Sequence, residues 1–230
     1  MQRRREVSRL EGFSDAVFAF AITLLVVSLE VPKTFHELML TMRGFPTFAI
    51  CFALLFQVWW RQYRFFRSYD IEDGFVIAWT GVLLFVVLFY VYPLKFVWTL
   101  ALAPLQRTAA NDAIAVADVP TLFLIYGAGV AAVFSILALL YRHAYQRRGD
   151  LGLSADEALD ARTQVFSNVA VAGWAVLSMV LAELLGRVAP RAVGVAGFVY
   201  VGIGLSEWIV STYAGRERRR LSTTDTSRAS

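Results

Sequence analysis

The chain has 230 residues, of which 58% are hydrophobic, 14% aromatic and only 17% charged, and its mean hydropathy is +0.57. Soluble domains carry about 25% charged residues, so this composition excludes an ordinary soluble protein and predicts a polytopic membrane protein. The net charge of +4 lies in short basic runs between apolar segments and not on one soluble face, which argues against nucleic-acid binding.

Apolar segments long enough to cross a bilayer core of about 30 Å as helices occur along the whole chain. We predict six spans, at approximately residues 13–31, 44–60, 75–102, 121–141, 165–185 and 192–213. In the third, Pro93 and Lys95 indicate that the chain leaves the hydrocarbon near that point. The basic N-terminal stretch precedes an apolar run without a small-residue cleavage site, so the first span is expected to remain in the mature protein.

The basic residues alternate between the predicted connections and set the orientation. One side would carry Arg3, Arg4, Arg5 and Arg9, then Arg61, Arg64 and Arg67, then Arg142, Arg147, Arg148 and Arg162, then Arg216, Arg218, Arg219 and Arg220. The other side would carry only Lys33, Arg43, Lys95, Arg107, Arg187 and Arg191. The positive-inside rule therefore places both termini in the cytoplasm. Together with the apolar spans, this predicts an all-α protein of the plasma (inner) membrane. Residues 1–213 would form one transmembrane domain, and residues 214–230 a basic, disordered cytoplasmic tail.

Polar residues near the later spans have structural interpretations. Ser154 and Glu157 fit a capping box at the start of a short surface helix that leads into the fifth span. Asn168 is predicted to form a hydrogen bond between helices, and Glu183 has the i,i+4 spacing of an ion pair with Arg187. Glu207, in the sixth span, is a possible partner for Arg9.

The first span has one continuous apolar arc with a single hydroxyl group. At about 100° per residue, the arc contains Phe13, Ala16, Phe20, Thr23, Leu24, Val27 and Val31. Such a face is suited to contact with lipid, with a neighbouring helix, or with a narrow pore that closes by dewetting. Periodicity alone leaves these three alternatives open.

Asp15 and Ser14 lie outside this arc, near the predicted helix start. A charged acid at the bilayer centre costs roughly 2.5 to 3.5 kcal/mol and is usually paired or functional. Near a helix start, however, Asp or Ser also caps free amides, and we favour capping plus a tie to a neighbouring helix over contact with a permeating ion. Arg9 is not on the same face, so we favour an interhelical or inter-subunit partner for Asp15 over a local pair with Arg9. Glu30, at the outer helix end, is either an exposed carboxylate or part of an acidic ring at a pore mouth.

Motifs of enzymes and of metal sites are absent from the sequence. There is no HExxH and no glycine-rich phosphate loop, and His36 and His143 are predicted on opposite sides of the bilayer. Cys51 is the single cysteine and lies in an apolar run, where we expect a small buried side chain. We predict a protein that is not an enzyme and has neither a cofactor nor a metal site.

A family resemblance is carried by Arg9, Phe13, Ser14 and Asp15, followed by AVFAFAITLLVVSLEVP. This stretch resembles the RxxxFSD signature on the first helix of the transmembrane protein 175 family, which contains the lysosomal potassium channel and its prokaryotic relatives. The resemblance implies six-helix subunits that assemble as tetramers, with the first helices around a central pore. It implies a constriction at Phe20, Leu24 and Val27, a selective hydroxyl layer at Thr23, and a fastening role for Arg9, Phe13, Ser14 and Asp15.

Two positions depart from the family pattern. Phe20 stands where members often carry Ile or Leu, and Gln62 and Tyr63 stand where many prokaryotic relatives carry histidines. The predicted function is a homotetrameric, potassium-permeable cation channel. We expect it to be weakly selective, because no TVGYG filter motif is present. The alternatives are a secondary transporter of a small cation or proton that uses Asp15 and Glu207, and a non-conducting scaffold that binds lipid or a partner.

Overall fold

The regular structure of the chain is helical throughout its described part. A computed structural model describes residues 7–27, 32–106, 114–208, 210, 212 and 215. Its helices are α1 (Arg9–Val27), α2 (Phe35–Arg43), α3 (Phe45–Ser68), α4 (Gly74–Gln106), α5 (Val119–Gln146), α6 (Ala155–Val188) and α7 (201–208), with 3₁₀ segments at Val116–Asp118 and Pro190–Tyr200. The all-α prediction is confirmed. Glu30, Val31, the first basic run and the tail from residue 216 lie outside the described residues.

Several of these helices meet the length and apolarity needed to cross a membrane. Four candidate spans are Arg9–Val27, Gly74–Ala103, Val116–Gln146 and Ala155–Val188. The pair α2 and α3, bent by 44° at its break, gives a fifth if it acts as one span. The last apolar helix, Ala192–Trp208, is shorter. The described residues therefore support a polytopic helical membrane protein with four or five candidate spans, and the sixth span stays a prediction.

Local sequence signals explain where α1 and α6 begin. The Ser8 hydroxyl accepts a hydrogen bond from the Glu11 backbone N–H at 3.1 Å, so α1 starts four residues before the predicted position. At α6, Ser154 and Glu157 form the predicted capping box, which is confirmed. The helix that follows is continuous to Val188, so the predicted separate surface helix is the first part of α6.

Two helices extend beyond the bounds of the predicted spans. The fourth helix continues through Pro93 and Lys95 to Gln106, because neighbouring helices allow a membrane helix to tolerate a missing backbone donor. Lys95 lies beside the end of α1, with Nζ 3.5 Å from the Leu25 carbonyl oxygen. Helix α3 continues past residue 60 to Ser68, so Arg61, Arg64 and Arg67 are helical residues and not part of a connection.

Packing separates an interior from an apolar exterior. The main buried cluster draws side chains from α1, α3, α4, α5 and α6, and the contact between α5 and α6 is the most extensive in the described part. On the outside, Phe85, Phe89, Phe198 and Val201 each expose at least 70% of their surface. A soluble monomer rarely exposes so many large apolar side chains, so this exterior is suited to lipid.

Ion pairs bring several helix ends to one end of the bundle. Arg67, near the end of α3, pairs with Glu11 in the first turn of α1. Arg64 pairs with Asp160 near the start of α6. Asp73, just before α4, pairs with His143 near the end of α5. The chain therefore passes up and down through the bundle, and its basic helix ends share one side.

Candidate functional site

Helix α1 has two opposite faces. Its buried residues, Glu11, Ser14, Phe18, Ala21 and Leu25, recur every three or four positions and pack against α3 and α4. The opposite side carries exposed residues, and we call Phe13, Ala16, Phe20, Thr23 and Val27 the open face of α1. This face contacts no other part of the described subunit closely enough to be buried, so it is available to lipid, to a second subunit or to a pore.

The predicted constriction residues differ in their placement. Phe20 is 56% exposed and Val27 is 73% exposed, so both project from the open face. Leu24 is half-buried and packs against the main core cluster, which places it at the margin of this face. A rotation of α1 would therefore change how far Leu24 enters the space in front of the helix.

Thr23 has a hydroxyl group with a defined orientation. Its Oγ1 donates a hydrogen bond to the Ala19 carbonyl oxygen at 2.7 Å. Because the hydroxyl hydrogen is used within the helix, the oxygen lone pairs remain free to act as acceptors on the open face. An oxygen in this state is chemically suited to contact a cation.

The buried face of α1 is tied to α3 by the two polar residues of the signature. Asp15 Oδ1 accepts a hydrogen bond of 2.7 Å from the Trp59 indole Nε1. Ser14 Oγ donates to the Leu10 carbonyl at 2.8 Å and accepts from Gln62 Nε2 at 3.3 Å. The predicted capping role of Ser14 and Asp15 is wrong, because α1 begins at Arg9 and Ser8 is its cap.

A third tie involves Glu11, which the sequence analysis did not identify. Glu11 is buried, and its carboxylate lies 3.3 Å from the Arg67 guanidinium. That guanidinium also stacks over the Tyr63 ring at 5.4 Å. The signal was present in the spacing: Glu11 is three residues before Ser14, and so shares its face, and three residues after Ser8.

The other two signature residues point away from the subunit core. Phe13 is 59% exposed, and Arg9 is exposed and forms no hydrogen bond or ion pair with another residue in the described part. Within one subunit, the signature is therefore divided: Ser14 and Asp15 bind α3, and Arg9 and Phe13 face outward.

Arg61 forms a second polar cluster on the far side of α3. One guanidinium nitrogen, Nη1, donates to Ser167 Oγ at 2.9 Å and to Asn168 Oδ1 at 3.0 Å. The other, Nη2, forms an ion pair of 2.8 Å with Glu207. Glu207 is therefore the partner of Arg61 and not of Arg9, and the interhelical hydrogen bond predicted for Asn168 is confirmed.

A cluster of charged side chains around Asp73 lies at the same end of the bundle, before α4. Asp73 Oδ1 accepts from the Val76 N–H at 2.9 Å, and its Oδ2 lies 2.7 Å from His143 Nε2 and 2.6 Å from Arg147. Desolvation alone would raise the pKa of Asp73, but the Val76 N–H, His143 and Arg147 outweigh it and hold this pKa below its ordinary value. The ionised carboxylate therefore joins α4 to α5.

Taken together, α1 offers an apolar surface with one hydroxyl group, that of Thr23, and is held from behind by α3. A single helix cannot enclose an ion, so this surface becomes a pore only where several copies face one another. Within the described residues of one chain, α1 therefore presents an open surface and not an enclosed site.

Known proteins are similar to this chain in both sequence and fold. The family model described as endosomal/lysosomal potassium channel TMEM175 matches residues 9–90. A potassium channel of Marivirga tractuosa is 34% identical over 209 residues, which cover 86% of this chain and 83% of that protein. A crystal structure of the potassium channel MtTMEM175, a variant in complex with a Nanobody-MBP fusion protein, matches with a TM-score of 0.81 and 31% identity over 93% of this chain and 96% of that one. A channel homologue from Chamaesiphon minutus, 21% identical over 89% of this chain and 99% of that one, shares the fold with a TM-score of 0.58.

Proposed function

This chain belongs to the endosomal/lysosomal potassium channel TMEM175 family, and we propose that it is a potassium-permeable channel. The main support is the relative of 34% identity that is named a potassium channel, together with the 31% identical channel structure. The family is one of ion channels and not an enzyme class. The feature of this chain that carries the proposal is the open face of α1, because it joins an apolar surface to one hydroxyl group.

The proposed assembly is a homotetramer in the plasma membrane. Four copies of α1 would surround a central axis, each with its open face inward. Each subunit would cross the membrane six times with both termini in the cytoplasm. The up-and-down packing and the basic helix ends on one side of the bundle support this orientation. Glu30 would lie at the opposite, outer mouth.

In the proposed mechanism, rings of Phe20, Leu24 and Val27 narrow the pore. Large apolar side chains leave little room for a hydrated ion and favour dewetting when the pore closes. Leu24 is half-buried, so a small rotation of α1 would move its side chain towards or away from the pore axis. The width of the constriction at Leu24 would therefore depend on the rotation of α1. Phe20 and Val27, which are more exposed, would form the permanent part of the constriction.

Thr23 would supply the polar layer between the apolar rings. Its hydroxyl hydrogen is bound to Ala19, so four oxygen atoms would present lone pairs to an ion that has lost part of its water. One hydroxyl layer replaces less of the hydration shell than a stack of carbonyl rings does. We therefore expect preference for potassium over sodium to be modest.

A secondary transporter is the alternative that the geometry favours less. It would need an acid that binds and releases a cation during each cycle. Asp15 is held by the Trp59 indole, and Glu207 is paired with Arg61. Both acids are better suited to joining helices.

Reconstitution in liposomes with a potassium gradient tests the proposal. A channel gives rapid flux that does not saturate at low potassium concentration and needs no co-transported ion. Slow, saturable and coupled flux would support the transporter, and protein without any flux would support a scaffold.

A further inference from the structure

We propose that the ion pair between Arg61 and Glu207 positions the pore-lining helix α1 through α3, so that Glu207 controls ion selectivity without contacting the ion. This inference rests on the proposed channel function. It assigns a positioning role to two residues that lie outside the family signature.

The first step concerns the environment of Arg61. Only 11% of its side chain is exposed, and it lies among apolar helices. Its guanidinium has three polar partners, Ser167, Asn168 and Glu207, and it also lies 5.3 Å from the centre of the Phe134 ring. A charge buried at this depth is costly unless it is well paired, so the orientation of Arg61 is closely defined by its partners.

The partners come from two other helices. Ser167 and Asn168 belong to α6, and Glu207 belongs to α7. Ser167 also donates a hydrogen bond of 2.5 Å to Glu207, so Oε1 of the carboxylate accepts from both Arg61 and Ser167. The Tyr141 hydroxyl of α5 donates to the Arg61 backbone carbonyl at 2.8 Å. The cluster thus fixes one point on α3 relative to α5, α6 and α7.

The second step concerns the next residue along α3. Gln62 is 1% exposed and projects about 100° around the helix from Arg61, where its Nε2 donates to Ser14 Oγ of α1. Arg61 and Gln62 are consecutive, so a rotation of α3 that follows from loss of the ion pair also moves Gln62. Trp59, which holds Asp15, would move with them.

The third step concerns the effect of a movement of α3 on the orientation of Thr23 in α1. Its buried face is tied to α3 at Ser14 and Asp15, and its open face carries Thr23. If the ties move in every copy, each Thr23 hydroxyl group turns relative to the pore axis. Hydroxyl groups turned away from the axis replace less of the hydration shell, so the preference for potassium falls.

The experiment compares Glu207→Gln with Glu183→Gln in the full-length protein. Glu183 forms an exposed ion pair with Arg187 inside α6, so it is a matched control that leaves α3 untouched. In liposomes, we expect Glu207→Gln to lower the potassium-to-sodium flux ratio by about two-fold or more, the size of effect typical of a residue that couples through packed helices. Glu183→Gln should keep the wild-type ratio.

A mutant cycle on a background that lacks both ties, Ser14→Ala with Trp59→Phe, separates positioning from a general loss of stability. If Glu207 acts through the ties to α1, adding Glu207→Gln to this background should change the flux ratio no further. Additive effects, or a wild-type ratio in Glu207→Gln, would overturn the inference. If Glu207→Gln does not fold, Glu207→Asp gives the same test, because the shorter side chain keeps the charge but draws the carboxylate away from the Arg61 guanidinium. Absence of potassium flux in the wild-type protein would instead overturn the proposed function.

Discussion

At the scale of single residues, Thr23 is distinguished by where its hydroxyl group lies. Thr99 in α4 makes the same hydrogen bond, to the carbonyl oxygen four residues earlier, at 2.8 Å, but it is half-buried and lies on another helix. This pair therefore separates the chemistry of a threonine from its position. Only Thr23 presents its oxygen on the open face.

We predict that Thr23→Ala lowers the potassium-to-sodium flux ratio by about five-fold, the equivalent of roughly 1 kcal/mol in the free energy of ion binding. Thr99→Ala should leave the ratio unchanged. Radioactive rubidium and sodium uptake by liposomes measures both. A similar decrease in both variants would mean that the hydroxyl at position 23 has no special part in selection.

Trp59 and Trp60 provide a second matched pair. The Trp59 indole donates to the carboxylate of Asp15, while Trp60 is 47% exposed. We predict that Trp59→Phe destabilises the protein by about 1.5 to 3 kcal/mol, because a partly buried carboxylate loses a charge-assisted hydrogen bond. Trp60→Phe should have little effect. Thermal unfolding in detergent makes the comparison, and equal unfolding temperatures for the two variants would exclude a structural role for the Asp15 tie.

The sequence located polar residues more reliably than it located their partners. Ser14 and Asp15 could be assigned to a face outside the apolar arc because that requires only the helical period. Their binding to Gln62 and Trp59 depends on how α3 packs, which period and composition do not specify. Arg61 was misassigned to a connection for the same reason: a run of arginines at a helix end looks like a loop when its buried partners are unknown.

At the scale of whole helices, Asp73 is the residue that caps α4. Its carboxylate binds the Val76 N–H three residues into the chain and also reaches His143 and Arg147 of α5. One side chain therefore completes the start of one helix and joins it to the end of another. The neutral amide of asparagine would keep the shape and lose the charge.

We predict that Asp73→Asn lowers the unfolding temperature at pH 7. The pKa of Asp73 is held below its ordinary value of 3.8, so the folded state favours the ionised carboxylate. This stabilisation is fully present above pH 3.8 and is lost as the pH falls through the lower pKa of the folded state. Thermal unfolding of both proteins across this range should show a constant difference above pH 5 that shrinks in acid. A difference that grows in acid would contradict the assignment.

Helix boundaries followed from sequence where a local signal was present. The capping box at Ser154 and the ion pair between Glu183 and Arg187 were predicted correctly, because both depend only on residues within four positions of one another. The fourth helix continues through Pro93 because neighbouring helices let a membrane helix accommodate a proline, and the exit from the hydrocarbon expected at that point stays a prediction. The continuation of α3 to Ser68 likewise depends on partners from distant parts of the chain.

At the scale of the whole molecule, the open face of α1 can line a pore only if other copies of the chain face it. We predict that the protein purifies as a tetramer, which native mass spectrometry in detergent would measure directly. A monomer or a dimer would leave this face without a closed ring around an axis. In that case a pore lined by α1 could not form.

The most direct test of the central claim is whether the open face of α1 lines the path of potassium. Cys51 is the single cysteine and is buried, so Cys51→Ala gives a background for new thiols. In that background, a charged thiol reagent should block potassium flux through Ala16→Cys and Thr23→Cys, which lie on the open face. It should spare Ala21→Cys, because Ala21 is fully buried on the opposite face. Flux that persists in Ala16→Cys and Thr23→Cys after their thiols have reacted would contradict a pore lined by α1.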